Sequence, residues 1–483
     1  MKVLFATSEA APLVKTGGLA DVSGALPAAL RRQGVDIRML LPGYGAALGW
    51  VEGSAQVVAD FALPPFPAAR LLASEMPSGV PLYVLDCPEL FARTGGPYQQ
   101  AGGEDWPDND IRFGLLSRVA AVLGHATSPL EWRPDVLHCN DWQTGLAPAY
   151  LAFMPGARAR TVMTIHNLAY QGIFPATAVP RVGLPWESFK VDGVEFYDNL
   201  SFLKAGLFHA DRLTTVSPTY AREIQHEPLG FGLQGLLSWR SKDLVGILNG
   251  IDTAVWDPAT DELIPRRYKS ATLARKADNK RALQERMGLD ASSATPLLGV
   301  VSRFTYQKGL DLLVAAAERI LKLPVQLAVL GSGDAPLESA FRELASRHRG
   351  TVAVQVGFDE PLSHLIEAGV DLFLMPSRYE PSGLNQMYSQ RYGTPVVARA
   401  TGGLIDTVIE CTPDTLAAGT ATGFLFVEPT PEALHAAVQR AVAVYHDRRV
   451  WRQLQRHGMD RDYSWDASAR GYAELYRSVA VPP

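Results

Sequence analysis

The chain carries the same glycine turn twice, once near each end. Thr16-Gly-Gly-Leu-Ala-Asp21 follows the apolar run Val3–Ala6, and Thr401-Gly-Gly-Leu-Ile-Asp406 follows the apolar run Pro395–Ala398. Each turn opens a segment with helical patterning. Paired glycines after a strand let the backbone approach a ligand closely, and the following helix aims free N–H groups and a positive dipole end at it. One such turn carries little information. Two, one in each half, predict two nucleotide-fold domains that serve one anionic ligand.

Size and charge agree with that division. A chain of 483 residues exceeds what one hydrophobic core organises, which favours two or three domains. The formal charge of −5 comes without a Lys/Arg block, so no nucleic-acid partner is expected. Met1–Ala6 resembles the start of a signal peptide, but Ser8, Glu9 and Lys15 interrupt it. No segment reaches the roughly 18 apolar residues that span a bilayer, so no membrane partner is expected. Cys87, Cys139 and Cys411 are too few and too scattered for a disulfide framework or a zinc site. The expectation is a cytoplasmic protein.

Short apolar runs alternate with amphipathic segments, the pattern of an α/β doubly wound parallel sheet. In the first half, strands are expected at Lys2–Thr7, Asp135–His138, Ala159–Ile165 and Arg212–Val216, with a helix over Leu19–Gln33 ended by Gly34. In the second half, strands are expected at Leu297–Ser302, Val325–Leu330, Val352–Val356, Leu372–Met375 and Val396–Ala398, with a helix over Gly309–Leu323. A hinge is expected near Val245–Asp257, where Asn249-Gly-Ile-Asp252 supplies turn chemistry. Asp86–Asp110, rich in Gly, Pro, Asp and aromatic residues, reads as a long loop of the kind that carries function.

Some apparent motifs mislead. Gly230-Phe-Gly-Leu-Gln-Gly235 matches the dinucleotide fingerprint, yet it follows a polar helix and Pro228 rather than a strand. Gly331-Ser-Gly333 follows a strand but lacks the third glycine. No Walker A sequence occurs, and no histidine pair has metal-ligand spacing. Neither a cofactor nor a metal is expected.

A set of cations, one histidine and two acids remains. Arg303 and Lys308 lie between a strand and its helix and suit a diphosphate: Arg forks onto two oxygens and Lys is a compact charge. With the Thr401, Gly402, Gly403, Leu404 turn they would stabilise a leaving diphosphate, each donor contributing roughly 3 kcal/mol. Glu380 follows the strand Leu372–Met375, at the carboxyl end where open sheets bind ligands. It suits sugar hydroxyls or positive charge on a reacting carbon, and equally a helix-start acid. His166 ends the strand Ala159–Ile165. Asp141 follows another, where a helix cap is the plain alternative.

These segments together resemble a known family. Glu9-Ala-Ala-Pro-Leu-Val-Lys-Thr-Gly-Gly-Leu-Ala-Asp21, Pro107-Asp-Asn, Thr164-Ile-His-Asn-Leu-Ala-Tyr-Gln-Gly172 and Lys204-Ala-Gly carry the likeness. Thr214-Thr-Val-Ser-Pro-Thr-Tyr-Ala221, Ile247-Leu-Asn-Gly-Ile-Asp252, Gln307-Lys-Gly-Leu-Asp311 and Thr401–Leu404 continue it. From Val3 to about Tyr476 the chain is similar to bacterial glycogen synthases and plant starch synthases, retaining glycosyltransferases of the GT-B fold.

The resemblance implies two Rossmann-like domains facing a cleft, residues 1–245 and 246–463, with a crossover helix at 464–483 returning to the first. It implies glucose transfer from ADP-glucose to the non-reducing end of an α-1,4-glucan (glycogen or maltooligosaccharide). Lys15, Gly18 and Asp21 would contact the donor's phosphate side, Arg303 and Lys308 the diphosphate, and Glu380 the glucose. The His166 backbone carbonyl would face the anomeric carbon, and Asp141 and Asn249 would line the cleft. The sequence departs from the family at Ser382, usually cysteine, at Gln143, usually histidine, and at Tyr306, usually smaller. A related transferase using UDP-glucose or a short acceptor, or a non-catalytic glucan-binding protein, remains an alternative. Domain closure is expected to bring Lys15 and His166 toward Arg303, Lys308 and Glu380. Small-angle scattering should show compaction with ADP plus an oligosaccharide; unchanged dimensions would overturn the closure.

Overall fold

The computed structural model describes residues 1–480. The chain divides into two compact units, Met1–Gly250 with the stretch from Trp465, and Ile251–Ser464. Each is built on one main sheet, and the first adds a small three-stranded one.

The first unit holds β1 (Lys2–Ala6), β2 (Asp36–Pro42), β3 (Gln56–Phe61), β4 (Ala69–Glu75), β5 (Pro81–Asp86), β6 (Val136–Asn140) and β7 (Arg160–Ile165). A small antiparallel sheet follows from β8 (Ile173–Pro175), β9 (Glu195–Phe196) and β10 (Asn199–Ser201), and then come β11 (Arg212–Thr215) and β12 (Leu244–Gly246). The main sheet runs β12-β11-β7-β6-β1-β2-β5-β4-β3. Its strands are parallel from β12 through β5. The antiparallel edge formed by β3 and β4 departs from the all-parallel expectation. Exposed apolar residues such as Val57 and Val58 carry that edge, whereas β1 and β6 are buried on both faces.

From β1 the chain crosses to β2 on one side, and later it returns to β6 on the other. Val3 therefore pairs with both Ile37 and Val136. The strand order reverses there, which opens a crevice at the carboxyl ends of β1 and β6. The helix Gly18–Arg32 covers β1 by burying Leu19, Val22, Leu26, Ala29 and Leu30. Gly34, at φ +80°, ends it as expected, because a left-handed residue at that point favours glycine.

The loop Asp86–Asp110 is tied down from one point. Arg112, almost fully buried, donates to Leu90 O and Pro97 O at 2.8 Å each and to Asn109 Oδ1 at 2.7 Å. Arg93 forks onto Asp108 at 2.8 and 2.6 Å. Gly230–Gly235 follows the helix Pro218–Glu223 and runs into the helix Gln234–Trp239, with no strand before it, so the fingerprint context is missing as expected.

The terminal helix Trp465–Ala480 packs along Gly18–Arg32 and belongs to the first unit. Its Tyr476 reaches the sheet, where His138 on β6 stands between Tyr476 Oη and Thr164 Oγ1, each at 2.6 Å. Burial, helped by the nearby His166 ring, pulls the His138 imidazole down to about 3.

The second unit holds β13 (Leu297–Val301), β14 (Gln326–Gly331), β15 (Val352–Val356), β16 (Leu372–Met375), β17 (Val396–Arg399) and β18 (Gly423–Phe426). All are parallel, in the order β15-β14-β13-β16-β17-β18, so the reversal falls between β13 and β16. The helix expected over Gly309–Leu323 spans Leu310–Ile320. Gly309 precedes it at φ +64°, and a Cβ there would lie 2.0 Å from Pro376 O.

The His138 network generates a stability prediction. A histidine held neutral in the fold but free to charge at pH 6.5 when unfolded contributes stability that is full above 6.5. That contribution is lost as pH falls toward 3, at up to about 1.4 kcal/mol per pH unit. H138Q should flatten the fall of thermal midpoint between pH 6.5 and 4. An unchanged slope would remove His138 as a source of the acid lability.

Candidate functional site

In the second unit, the loops after β13 and β16 meet at the reversal. Gln307 O accepts from Arg378 N–H at 2.8 Å, and Asn385 Nδ2 donates to Val301 O at 2.6 Å. The close approach at Gly309 presses the preceding residue, Lys308, onto the β16 loop. Lys308 Nζ lies 2.6 Å from Glu380 Oε2, and Ser377 Oγ donates to the same oxygen at 2.9 Å. Glu380 is 4% exposed. A buried carboxylate held by an ammonium and a hydroxyl has a fixed direction, and removing the ammonium would strand its charge. Lys308 commits one of its three N–H donors to Glu380 and keeps two.

Arg303 is exposed and makes no ion pair among the described residues. With Ser302, Lys308, Ser377, Gly383 and Asn385 it lines a cavity of about 160 Å³. Arg378 forks onto Asp311, both contacts 2.6 Å, and its guanidinium lies 4.0 Å from the centre of the Tyr306 ring. That arrangement braces the loop that carries Lys308. Tyr306, 68% exposed, presents its other face to solvent.

The turn Thr401, Gly402, Gly403, Leu404 has a different basis from the one expected. A Cβ on Gly402 would lie 2.0 Å from Glu380 O, and one on Gly403 would lie 2.2 Å from Ser382 O. Gly403 N–H donates to Glu380 O at 3.0 Å. These glycines permit close approach to the Glu380–Ser382 backbone, so they support Glu380 from behind. Around Gly17 and Gly18 a Cβ would meet nothing within 4 Å. The two copies of the turn share letters but not packing.

In the first unit, the loop after β1 closes on itself through paired backbone bonds between Ala10 and Val14 at 3.1 and 2.9 Å. Lys15 Nζ pairs with Asp21 Oδ1 at 2.7 Å on the surface. Glu9, 3% exposed, turns its carboxylate back onto the same loop: Oε2 accepts from Thr16 N–H at 2.5 Å and Gly17 N–H at 3.2 Å. Tyr98 O–H donates to Glu9 Oε1.

Asp141, after β6, adopts φ +56° and ψ −176°, a strained conformation for any residue but glycine. Its side chain does not cap the short helical turn that follows, so the capping alternative falls. Oδ1 accepts from His166 N–H at 2.7 Å, and the Asn167 N–H also donates to the carboxylate. Burial raises this carboxyl to about 7, against the two N–H groups that favour its charge, and the negative Glu9 adds to the rise. The carboxylate of Asp141 thereby fixes the backbone on which His166 sits. The His166 ring, 3.0 Å from Asn140 Oδ1, is pulled down to about 3 by burial. It is neutral at ordinary pH, with its Nε2–H donating to Asn140 Oδ1. Asn249 is 8% exposed, and its amide oxygen is buried with no hydrogen-bond partner among the described residues.

Sequence reasoning therefore named Lys308 and Glu380 without the Ser377 hydroxyl between them, and Lys15 without Glu9. Neither Ser377 nor Glu9 stands out in the sequence as part of a site. Among the described residues, no three of His, Cys, Asp and Glu converge as metal ligands. None of the helices described is long and apolar enough to cross a membrane.

Residues 2–239 match the family described as starch synthase catalytic domain, and residues 284–457 match glycosyl transferases group 1. The glycogen synthase of Nitrosomonas eutropha is 56% identical over 481 residues, covering 99% of this chain and 96% of that one. That of Aromatoleum aromaticum is 55% identical over 477 residues, covering 99% and 96%. Among solved structures, the catalytic domain of starch synthase IV from Arabidopsis thaliana, bound to ADP and acarbose, superposes with a TM-score of 0.86. It is 33% identical, with 99% of each chain covered. Sucrose-phosphate synthase from Thermosynechococcus elongatus shares the fold, at TM-score 0.60 and 19% identity, with 99% of this chain and 98% of that one covered. The chain belongs to the family of bacterial glycogen synthases and plant starch synthases, glycosyltransferases of the GT-B fold.

Proposed function

We propose that this protein is a cytoplasmic glucan synthase that transfers glucose from ADP-glucose to the non-reducing 4-hydroxyl of an α-1,4-glucan, with retention. The observation that carries the reading is the buried Glu380 carboxylate, held by Lys308 and Ser377 beside the cavity that Arg303 lines. A cation-lined cavity next to a fixed carboxylate suits a sugar diphosphate, with charge on both sides of the bond that breaks. The related starch synthase bound to ADP and acarbose supports a nucleotide and a glucan as ligands.

In this reading the bond between the anomeric carbon and the diphosphate oxygen breaks as the acceptor oxygen attacks from the same face. The acceptor proton passes to the leaving phosphate, so no separate base is needed. Arg303 and the two remaining donors of Lys308 take up the charge that develops on the diphosphate. Lys15 adds a third cation on the phosphate side, with Gly18 and Asp21 in the same loop. Glu380 accepts from glucose hydroxyls and faces the positive anomeric carbon. Asp141 holds the His166 backbone so that its carbonyl points at the same carbon, and Asn249 lines the cleft beside it. Thr401, Gly402, Gly403 and Leu404 keep Glu380 in place.

Purified protein given a glycogen primer should incorporate glucose mainly from ADP-glucose. Incorporation mainly from UDP-glucose would overturn the donor, and incorporation from neither would overturn the transferase. K308A should lower kcat by about 10²- to 10³-fold with glucan binding nearly unchanged; equal loss of both would remove its role at the leaving group. The Asp141 carboxyl ionises near 7, so protonation below that value weakens its hold on His166. Accordingly kcat/KM should fall about tenfold per pH unit below pH 7. D141N should be slower and lack that limb. A limb that persists in D141N would belong to another group.

A further inference from the structure

The helix Gly18–Arg32 begins at the glycine turn, and its first amides are those that an incoming anion would seek. Two N–H groups just ahead of it are already taken. Thr16 and Gly17 both donate to Glu9 Oε2, at 2.5 and 3.2 Å, so a resident carboxylate occupies the place of a ligand oxygen. The carboxylate is itself fixed. Tyr98 spends its only proton on Glu9 Oε1, so the 2.8 Å contact between Ser8 Oγ and Tyr98 Oη has Ser8 as donor. Thr7 Oγ1 donates to Glu9 O at 2.9 Å and lies 2.9 Å from Ser23 Oγ, which ties Glu9 to the helix behind the turn.

Tyr98 is fixed in its turn. Its carbonyl accepts from Asn109 Nδ2 and from Trp106 N–H, each at 3.0 Å, and Asn109 is held by the buried Arg112. A continuous chain of hydrogen bonds thus runs from Arg112 through Asn109, Tyr98 and Glu9 to the turn that carries Lys15. Around Gly17 and Gly18 a Cβ would meet nothing within 4 Å, so the Thr16 and Gly17 bonds to Glu9 are not backed by close packing there.

We propose that Glu9, aimed by Tyr98, is a positioning residue for glucosyl transfer: it presets the Thr16–Gly17 turn so that Lys15 meets the donor's phosphates without the turn having to order first. The inference rests on the glucan-synthase reading. With the Glu9 carboxylate on the Thr16 and Gly17 amides, the phosphates are served by the Lys15 ammonium and the amides that follow. Glu9 reaches the donor's phosphates through Lys15, so at neutral pH its loss is contained in the loss of Lys15, while its charge on Asp141 shows only in the acid limb.

The test is a double-mutant cycle on the full-length protein with ADP-glucose and glycogen, using E9A, K15A and the pair. E9A should lower kcat/KM for ADP-glucose at least tenfold with the KM for glycogen within twofold of wild type. The double variant should lose no more than the worse single one. Losses that multiply, or an equal rise in the KM for glycogen, would overturn the proposal. If E9A does not fold, Y98F keeps the Glu9 bonds to the turn but frees its other oxygen. Y98F should lower kcat/KM for ADP-glucose about threefold and lose nothing further when combined with K15A; wild-type kinetics in Y98F would overturn the coupling. Wild-type protein that transfers no glucose at all would sink the functional reading itself, a separate result from active protein insensitive to E9A.

Discussion

Parallel strands cannot be joined by a tight turn, and most features of this protein follow from that constraint. Each crossover needs a covering segment, so both faces of β1, β6, β13 and β16 are buried, and the loops between them have only the sheet's ends to occupy. Where the crossovers change direction, two loops part and leave a crevice at the carboxyl ends of the strands. In the first unit that point lies between β1 and β6 and collects Glu9, Lys15 and Asp141. In the second it lies between β13 and β16 and collects Arg303, Lys308, Ser377 and Glu380. The placement of charge is a consequence of strand order.

Buried carboxylates are the second theme, since an acid taken out of water must be compensated. Three are present at these points, and each is compensated by different means. Glu380 has an ammonium and a hydroxyl, Asp141 has two backbone N–H groups, and Glu9 has two N–H groups and a phenol. The compensation doubles as aim: each acid fixes a neighbouring loop while being fixed by it. Asp141 shows the least complete balance, because its carboxyl sits near 7 in spite of its two donors. The same group bears the strained backbone, and strain of this sort persists only where surroundings over-determine it.

The terminal helix illustrates a further consequence. Trp465–Ala480 lies far along the chain from β6 yet packs with the first unit, through Tyr476 on His138 and Arg32 on Asp466. A histidine kept neutral between two hydroxyls is a directional link, unlike the apolar contacts around it. It makes the seating of that helix specific rather than merely greasy, and it does so at the expense of stability in acid.

Much of this was legible in the residues. The apolar runs of β1, β6, β7 and β13–β17 stand out because doubly buried strands must be continuously apolar, and the cations and acids stand out because each follows such a run. The antiparallel edge of β3 and β4 was not legible, since half-exposed strands carry a weaker pattern. Nor was the difference between the two glycine turns: the letters of Thr16–Leu19 and Thr401–Leu404 are the same, but only Gly402 and Gly403 meet another backbone. Sequence by itself marked the strands beside the two reversals, β1, β6, β13 and β16, and the charged groups at their ends, because burial acts locally. Tertiary structure alone decided that Glu9 caps the Lys15 loop, that Tyr98 aims it, and that Ser377 shares Glu380 with Lys308. The Tyr98–Glu9 and Lys308–Glu380 contacts join segments 89 and 72 residues apart, brought together only when the strands take their order in the sheet, and the local bonds of Glu9 and Ser377 gain their aim from them.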